Sequence, residues 1–364
     1  MDRPAYHPWL HRIAVLTACL ALLPILMGAL VTTKDAGMAF RDWPSSDGHN
    51  MLLYPWLKSA GAKFLEHGHR LAGILIGMAS IALAVAAGRL ERRLWVKCLA
   101  YAVLVAVITQ GILGGQRVLL DQRGLAFVHG SFAALVLALM ASVAVVTSRS
   151  WHMPFSSDDT SDTNPKRQRG TALTASLALR VSVSGDSGQF DEKISDIRNP
   201  KSEMPRLRRL KLLALATCGC VFIQYILGGL LRHQGKVLYE HLGFAFVAAL
   251  MVIWLAMVAV ASGSTWLRRP AICLAALTIV QLALGAGAWV TKFGFENYVA
   301  VYGSNIQVVT RTAHVMCGIL LFATCVVLTV RIARLQRLSS LGSAGFRADS
   351  ASFELALPLA GGAR

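Results

Sequence analysis

Four histidines stand at matching points of a recurring pattern: His69 in Glu66-His67-Gly68-His69-Arg70, His129 in Val128-His129-Gly130, His241 in Glu240-His241-Leu242-Gly243 and His314 in Arg311-Thr312-Ala313-His314. Neutral imidazoles facing each other across a helical bundle supply the two axial ligands of a haem iron, and bundle cores are where such cofactors sit. Four such residues make two pairs, hence two haem sites. A single histidine at a helix start is more often an interfacial or capping residue, and it is the recurrence that favours ligation. Glu66 precedes His69 by three residues and so lies on nearly the same helical face. There it can complement the helix N-terminus or Arg70, or act at the edge of a bound porphyrin. Arg70, Arg117, Arg232 and Arg311 lie where haem propionates would emerge, and a guanidinium matches a carboxylate bidentately. The other histidines, His7, His11, His49, His67, His152 and His233, read as surface or loop residues.

The elements that must position these side chains are membrane helices. With 364 residues, 55% hydrophobic and 15% charged, and a mean hydropathy of +0.54, the chain is too apolar for an ordinary soluble core. Apolar runs of the length needed to cross a bilayer fall at about 13–31, 71–87, 96–115, 125–146, 210–231, 242–261, 271–290 and 313–330, giving eight spans. The first is preceded by Arg3 and Arg12 but is longer than a usual signal-peptide core and lacks a clean cleavage site, so it reads as an uncleaved helix. The formal charge of +17 maps onto loops rather than onto a nucleic-acid surface. Arg89, Arg92, Arg93 and Lys97, then Arg268 and Arg269, then Arg331, Arg334 and Arg337 follow even-numbered spans. By the positive-inside rule those ends, and both termini, are cytoplasmic. The opposite loops, 32–66, 116–124, 232–240 and 291–311, mix charges, as Glu296 beside Lys292 shows, and face outward. All seven cysteines lie in or beside apolar runs, which disfavours disulfides and zinc.

The expected fold is thus all-α and integral to the membrane, eight transmembrane helices arranged as two pseudo-repeated four-helix bundles. Residues 1–146 form the first bundle, 210–335 the second and 336–364 a cytoplasmic tail. Between the bundles, 147–209 is polar and reads as a disordered cytoplasmic linker, with a strand-like alternation from Leu173 to Val183. The repeat is visible in the third span, which ends Gln110-Gly111-Ile112-Leu113-Gly114-Gly115, and in the fifth, which ends Gln224-Tyr225-Ile226-Leu227-Gly228-Gly229. A looser copy, from Gln281 through Gly285 to Gly287, closes the seventh. Such small residues allow close approach of a neighbouring helix or a flat ligand, whereas Gly73-x-x-x-Gly77 reads as packing alone.

The run Glu66-x-x-His69-Arg70 resembles the signature of the heme A synthase family, and the stretch from Thr33-Lys34-Asp35-Ala36-Gly37-Met38 to Asp42-Trp43-Pro44 resembles that family's first outer loop. Eight helices, two related halves and four outer-side histidines are similar to the same family over all but the tails and 147–209. The resemblance implies an oxidoreductase that converts the C8 methyl of heme O to the formyl group of heme A by successive hydroxylations, in supply of heme A-type terminal oxidases. It implies His69 and His129 as ligands of the substrate or product haem, with Arg70 beside it, and His241 and His314 as ligands of a resident haem b. It implies Glu66 as the catalytic carboxylate, stabilising positive charge on the methyl carbon while water supplies oxygen. The implied setting is the inner cell membrane. The implied partners are the bilayer, an electron acceptor or donor of unspecified kind, a heme O synthase as source of substrate, and further copies of the chain as an option; nucleic acid is not among them. Loops 32–66 and 232–240 lack the cysteine pair that some members carry, so no thiol-dependent step is transferred.

Two other classes use the same residues. A di-haem b-type electron-transfer protein needs the four histidines but has no use for Glu66. A transporter or metal-handling protein could use histidines as ligands, but no acidic residue inside the bilayer marks a path. The absence of Cys-x-x-Cys-His excludes covalent c-type attachment.

Overall fold

The computed structural model describes residues 6–152, 200–294 and 302–355, with the backbone alone at 200–203 and 341–355. Among these residues there is no β-strand beyond the isolated bridge of Ser46 to His49, and eight helices are long and apolar enough to cross a membrane. They are Pro8–Thr33, Gly61–Leu90, Leu94–Leu119, Arg123–Val146, Met204–Gln234, Leu238–Ala261, Thr265–Phe293 and Asn305–Ser340. Large apolar side chains such as Val105, Leu250 and Ile279 point outward. In water such a surface would be an aggregation hazard; in hydrocarbon it is the solvated face.

The number of spans agrees with the hydropathy reading, while several ends do not. The second span starts at Gly61 rather than 71, so the polar run from Glu66 to Arg70 lies in the helix and not before it. Its polar groups find partners in the preceding loop, which a hydropathy window cannot register. The fifth helix begins at Pro200 and the eighth continues to Leu355, because Arg, Leu, Ala and Gln after residue 330 are good helix formers even where they are too polar for lipid. The first span is interrupted between Pro8–Leu20 and Leu22–Thr33. Pro24 has no N–H to offer the carbonyl of Leu20, which breaks the ladder there. Of the stretch 147–209, Thr147 and Ser148 form a turn, and Arg149–His152 and the residues from Pro200 are helical; 153–199, with the strand expected from Leu173 to Val183, lie outside the described residues, as does Glu296.

In the first half, the first span packs on the second, the second on the third, the third on the fourth and the fourth back on the first, which closes a ring of four helices. In the second half the sixth packs on the seventh. Polar contacts join the halves at the histidine level. Arg232 donates to the Ala29 carbonyl (2.7 Å) and to Thr33 Oγ1 (2.9 Å), Thr312 Oγ1 to Thr33 Oγ1 (3.3 Å), and Tyr225 Oη to the Gly130 carbonyl (3.2 Å). Met1–His152 together with Leu213–Val330 form one compact unit, which holds every candidate site residue. Met153–Leu212 with Arg331–Arg364 form another, helical where it is described.

At the opposite end of the second span, Glu91 fixes the turn into the third. Arg93 donates to it from Nε and Nη2 at 2.9 and 2.7 Å, and the backbone N–H groups of Arg92 and Arg93 each at 2.9 Å. Burial alone would raise this carboxyl, but the Arg93 bonds and the two N–H groups outweigh it and hold it below the ordinary glutamate value.

Candidate functional site

Each of the four histidines rests against a glycine of the preceding transmembrane helix. A Cβ added to Gly28 would fall 3.0 Å from Cε1 of His69, and the same distance separates Gly114 from His129, Gly228 from His241 and Gly285 from His314. That is tighter than carbon contacts allow without displacement, so only glycine leaves room for the ring. The residue four positions earlier, one helical turn away, completes the seat. Gln110 Nε2 donates to the His129 carbonyl (2.9 Å) and Gln224 Nε2 to the His241 carbonyl (3.0 Å). The Gln224 amide also lies 3.1 Å from His241 Nδ1, and the Gln281 amide 3.4 Å from His314 Nε2. In the first span the corresponding residue is Pro24, whose carbonyl accepts from His69 Nδ1 at 2.9 Å. The Gln-x-x-x-Gly spacing read from sequence is therefore a histidine seat, and Pro24-x-x-x-Gly28 is its counterpart, which the sequence reading missed.

The second glycine of each Gly-Gly pair has a different occupant. A side chain at Gly115 would collide with the indole of Trp43, and one at Gly229 would meet Phe127 at 3.1 Å.

The seats bring the rings together in pairs. His69 and His129 have ring centres 6.1 Å apart with planes at 85°, and His241 and His314 have centres 6.3 Å apart with planes at 87°. With an imidazole nitrogen about 2 Å from a metal and about 1.1 Å from its own ring centre, two rings on opposite sides of one iron have centres about 6.2 Å apart. Both pairs meet that spacing. His69 and His129 each give Nδ1–H to a backbone carbonyl, Pro24 at 2.9 Å and Gln110 at 3.1 Å, which leaves Nε2 as the lone pair available to a metal. The amide oxygens of Gln110, Gln224 and Gln281 are buried with no hydrogen-bond partner. Among the described residues no group of three or more histidine, cysteine, aspartate or glutamate side chains could hold a metal ion, so a two-ligand site with a macrocycle supplying the remaining donors suits these residues better than a bare ion.

Glu66 is 2% exposed and takes part in a network at the N-terminal end of the second span, one turn before His69. Its Oε2 accepts from the N–H groups of Ala39 (2.7 Å) and Phe40 (3.4 Å), and its Oε1 from Arg70 Nη2 (2.9 Å). Arg70 Nη1 donates to the carbonyls of Asp42 (2.9 Å) and Ser45 (2.6 Å) and to Ser46 Oγ (3.4 Å). Arg117, near the end of the third span, donates to the Gly37 carbonyl. His67, expected at the surface, is fully buried instead. It faces away from His69, hydrogen-bonded to Ser46 Oγ (3.1 Å) and packed against Tyr54 with ring centres 4.6 Å apart. Residues 36–46 therefore form a strap tied to the second span through Glu66, His67 and Arg70 and to the third through Arg117 and Gly115. The strap braces its own end: the Asp42 carboxylate accepts from the N–H groups of Asp47 (3.1 Å) and Gly48 (2.9 Å), where Gly48 has φ of 75°. Burial would raise the Asp42 carboxyl, but donors from Gly48, Ser45 and Asp47 hold it below the usual aspartate value.

The four arginines are thus engaged to different extents. Arg70 and Arg117 serve the strap, and Arg232 holds Ala29 and Thr33 of the first span. Arg311 is half-buried near Arg232. His233, also expected at the surface, is half-buried with Nε2 3.4 Å from where a Cβ on Gly130 would lie. Its signal in sequence was its place beside Arg232, just past the Gly-Gly pair.

Residues 1–141 match the COX15-CtaA family, described as cytochrome oxidase assembly protein. A curated protein named heme A synthase from Symbiobacterium thermophilum is 33% identical over 143 residues, covering 37% of this chain and 44% of that protein. Another of that name, from Alkalihalophilus pseudofirmus, is 28% identical over 143 residues, covering 38% of this chain and 47% of that one. Each match spans about half the length of the relative.

Proposed function

We propose that this chain, similar over residues 1–141 to cytochrome oxidase assembly proteins, is a heme A synthase that oxidises the C8 methyl of heme O to a formyl group by successive hydroxylations. The observation that carries the proposal is the pair of imidazole couples at iron-bridging spacing, of which, among the described residues, only the first has a buried carboxylate one turn away. In this reading His69 and His129 hold the substrate haem and Glu66 is the catalytic residue. Its carboxylate is oriented by three donors, Ala39 N–H, Phe40 N–H and Arg70, and would hold its charge beside the porphyrin edge where positive charge develops on the methyl carbon. A fixed charge in a site that excludes water lowers such a barrier more than the same charge in solution. Phe40, buried in the strap, and Trp43, packed on Gly115, would supply that exclusion. Arg70 borders the substrate, and Arg117, Arg232 and Arg311 are the candidate partners of haem propionates.

His241 and His314 would hold a resident haem b, which supplies one-electron redox chemistry when bound. The two halves are proposed as pseudo-repeated bundles, 1–146 and 210–335, since the same glycine seat occurs twice in each. The protein is placed in the inner cell membrane with both termini cytoplasmic, alongside a membrane electron acceptor or donor and a heme O synthase that provides substrate. An electron carrier without haem chemistry would have no use for the buried carboxylate.

The test is co-expression with a heme O synthase in a host that makes no heme A, followed by chromatography of the extracted haems. Hydroxylated and formylated products are expected. Heme O alone, from folded and inserted protein, would contradict the proposal.

A further inference from the structure

We propose that Arg70 is a positioning residue that locks the Glu66 carboxylate and strap 36–46 into one unit across the outer end of the His69 and His129 pair. Every acceptor that its Nη1 and Nη2 groups reach is either Glu66 or a strap residue, Asp42, Ser45 or Ser46. Its guanidinium carbon lies 5.0 Å from the ring centre of Phe40, whose own N–H is bound by Glu66. The carboxylate and the guanidinium, one turn apart on the second span, thus grip strap positions 39, 40, 42, 45 and 46 from one side. Arg117 and Gly115, the latter adjacent to the glycine that seats His129, grip positions 37 and 43 from the other. The side chain of Arg70 is 7% exposed and that of Glu66 3%, so cutting their ion pair strands a buried charge. The position needs arginine, because Nη1 and Nη2 point at different partners and only a planar fork serves both together. With these donors committed, Arg70 influences the substrate through Glu66 and the strap. Glu240, which precedes His241, is exposed and holds no comparable strap among the described residues.

The kinetic part of this proposal rests on the heme A synthase reading; the mechanical part does not. Both are tested in the full-length chain in membranes, using Ala36→Cys as reporter, because Ala36 is 2% exposed at the start of the strap. None of the native cysteines lies in an outer loop, so a membrane-impermeant maleimide reads the reporter alone. Arg70→Gln is expected to raise the labelling rate about tenfold or more by freeing the strap, and Arg70→Lys by less. Arg70→Gln is also expected to lower kcat for heme A formation about tenfold, with KM and the low-spin haem spectrum retained. Unchanged labelling, or a raised KM at unchanged kcat, would overturn the proposal, the latter by assigning Arg70 to the propionates. If Arg70→Gln does not accumulate, Arg70→Lys decides alone: faster labelling than the parent supports the proposal, and equal labelling overturns it. Faster labelling in a chain that forms no heme A, wild type included, leaves the strap lock standing and rejects the enzymatic reading.

Discussion

The two imidazole pairs are alike in their own geometry and in their glycine seats and, among the described residues, different in the charged groups beside them. Ring centres lie 6.1 and 6.3 Å apart with planes at 85° and 87°, and each ring is backed by a glycine at the same distance. The first pair, however, adjoins a strap pinned by the buried Glu66 and Arg70, while among the described residues the second has only the exposed Glu240 beside His241. The shared part suits holding an iron; the unshared part suits acting on the edge of a porphyrin. A chain that merely carried electrons would need the first feature twice and the second nowhere.

The comparison can be broken most severely at the carboxylates. Glu66→Gln is expected to reduce heme A formation about 100-fold or more with haem retained, whereas Glu240→Gln is expected to change nothing, as haem extraction and chromatography will show. Next come the glycines. Gly115→Ala must move Trp43 and should cost about 1–3 kcal/mol of stability as well as loosening the strap. Gly229→Ala, with 3.1 Å to the edge of Phe127, should cost less; thermal unfolding in detergent compares the two. His67→Ala removes a buried ring from Ser46 and Tyr54 and should cost about 1–3 kcal/mol, read as faster proteolysis within 36–60 while the second pair keeps its absorbance.

The smallest effect concerns pH. Glu91 has a folded pKa below its unfolded value of about 4.5, so its contribution is fully present above that value and is lost as pH falls through the folded pKa. Unfolding midpoints should therefore fall below about pH 4.5, and Glu91→Gln should flatten that decline without affecting either pair.

Much of this was legible in the sequence because bilayer physics is written in long apolar runs and because the four histidines occur at matching registers. What hydropathy could not show was that polar residues at a helix start belong to the helix when a loop folds back to satisfy them. The second span therefore begins ten residues earlier than expected, at Gly61, and His67 is buried rather than exposed. The seat of His69 was hidden for a different reason: Pro24 replaces glutamine, so the spacing to Gly28 survives while the residue type that advertised it does not. The strap was legible only as a family-like loop, since its attachment depends on backbone carbonyls and N–H groups, which no side-chain pattern encodes.

The central claim, that each half holds one iron between two imidazoles, is tested most directly by electron paramagnetic resonance of the oxidised, haem-loaded protein and its histidine variants. Two low-spin bis-imidazole ferric signals are expected, one removed by His69→Ala or His129→Ala and the other by His241→Ala or His314→Ala. A single signal in the wild type, or the loss of both on any one substitution in protein that remains folded, would contradict the account.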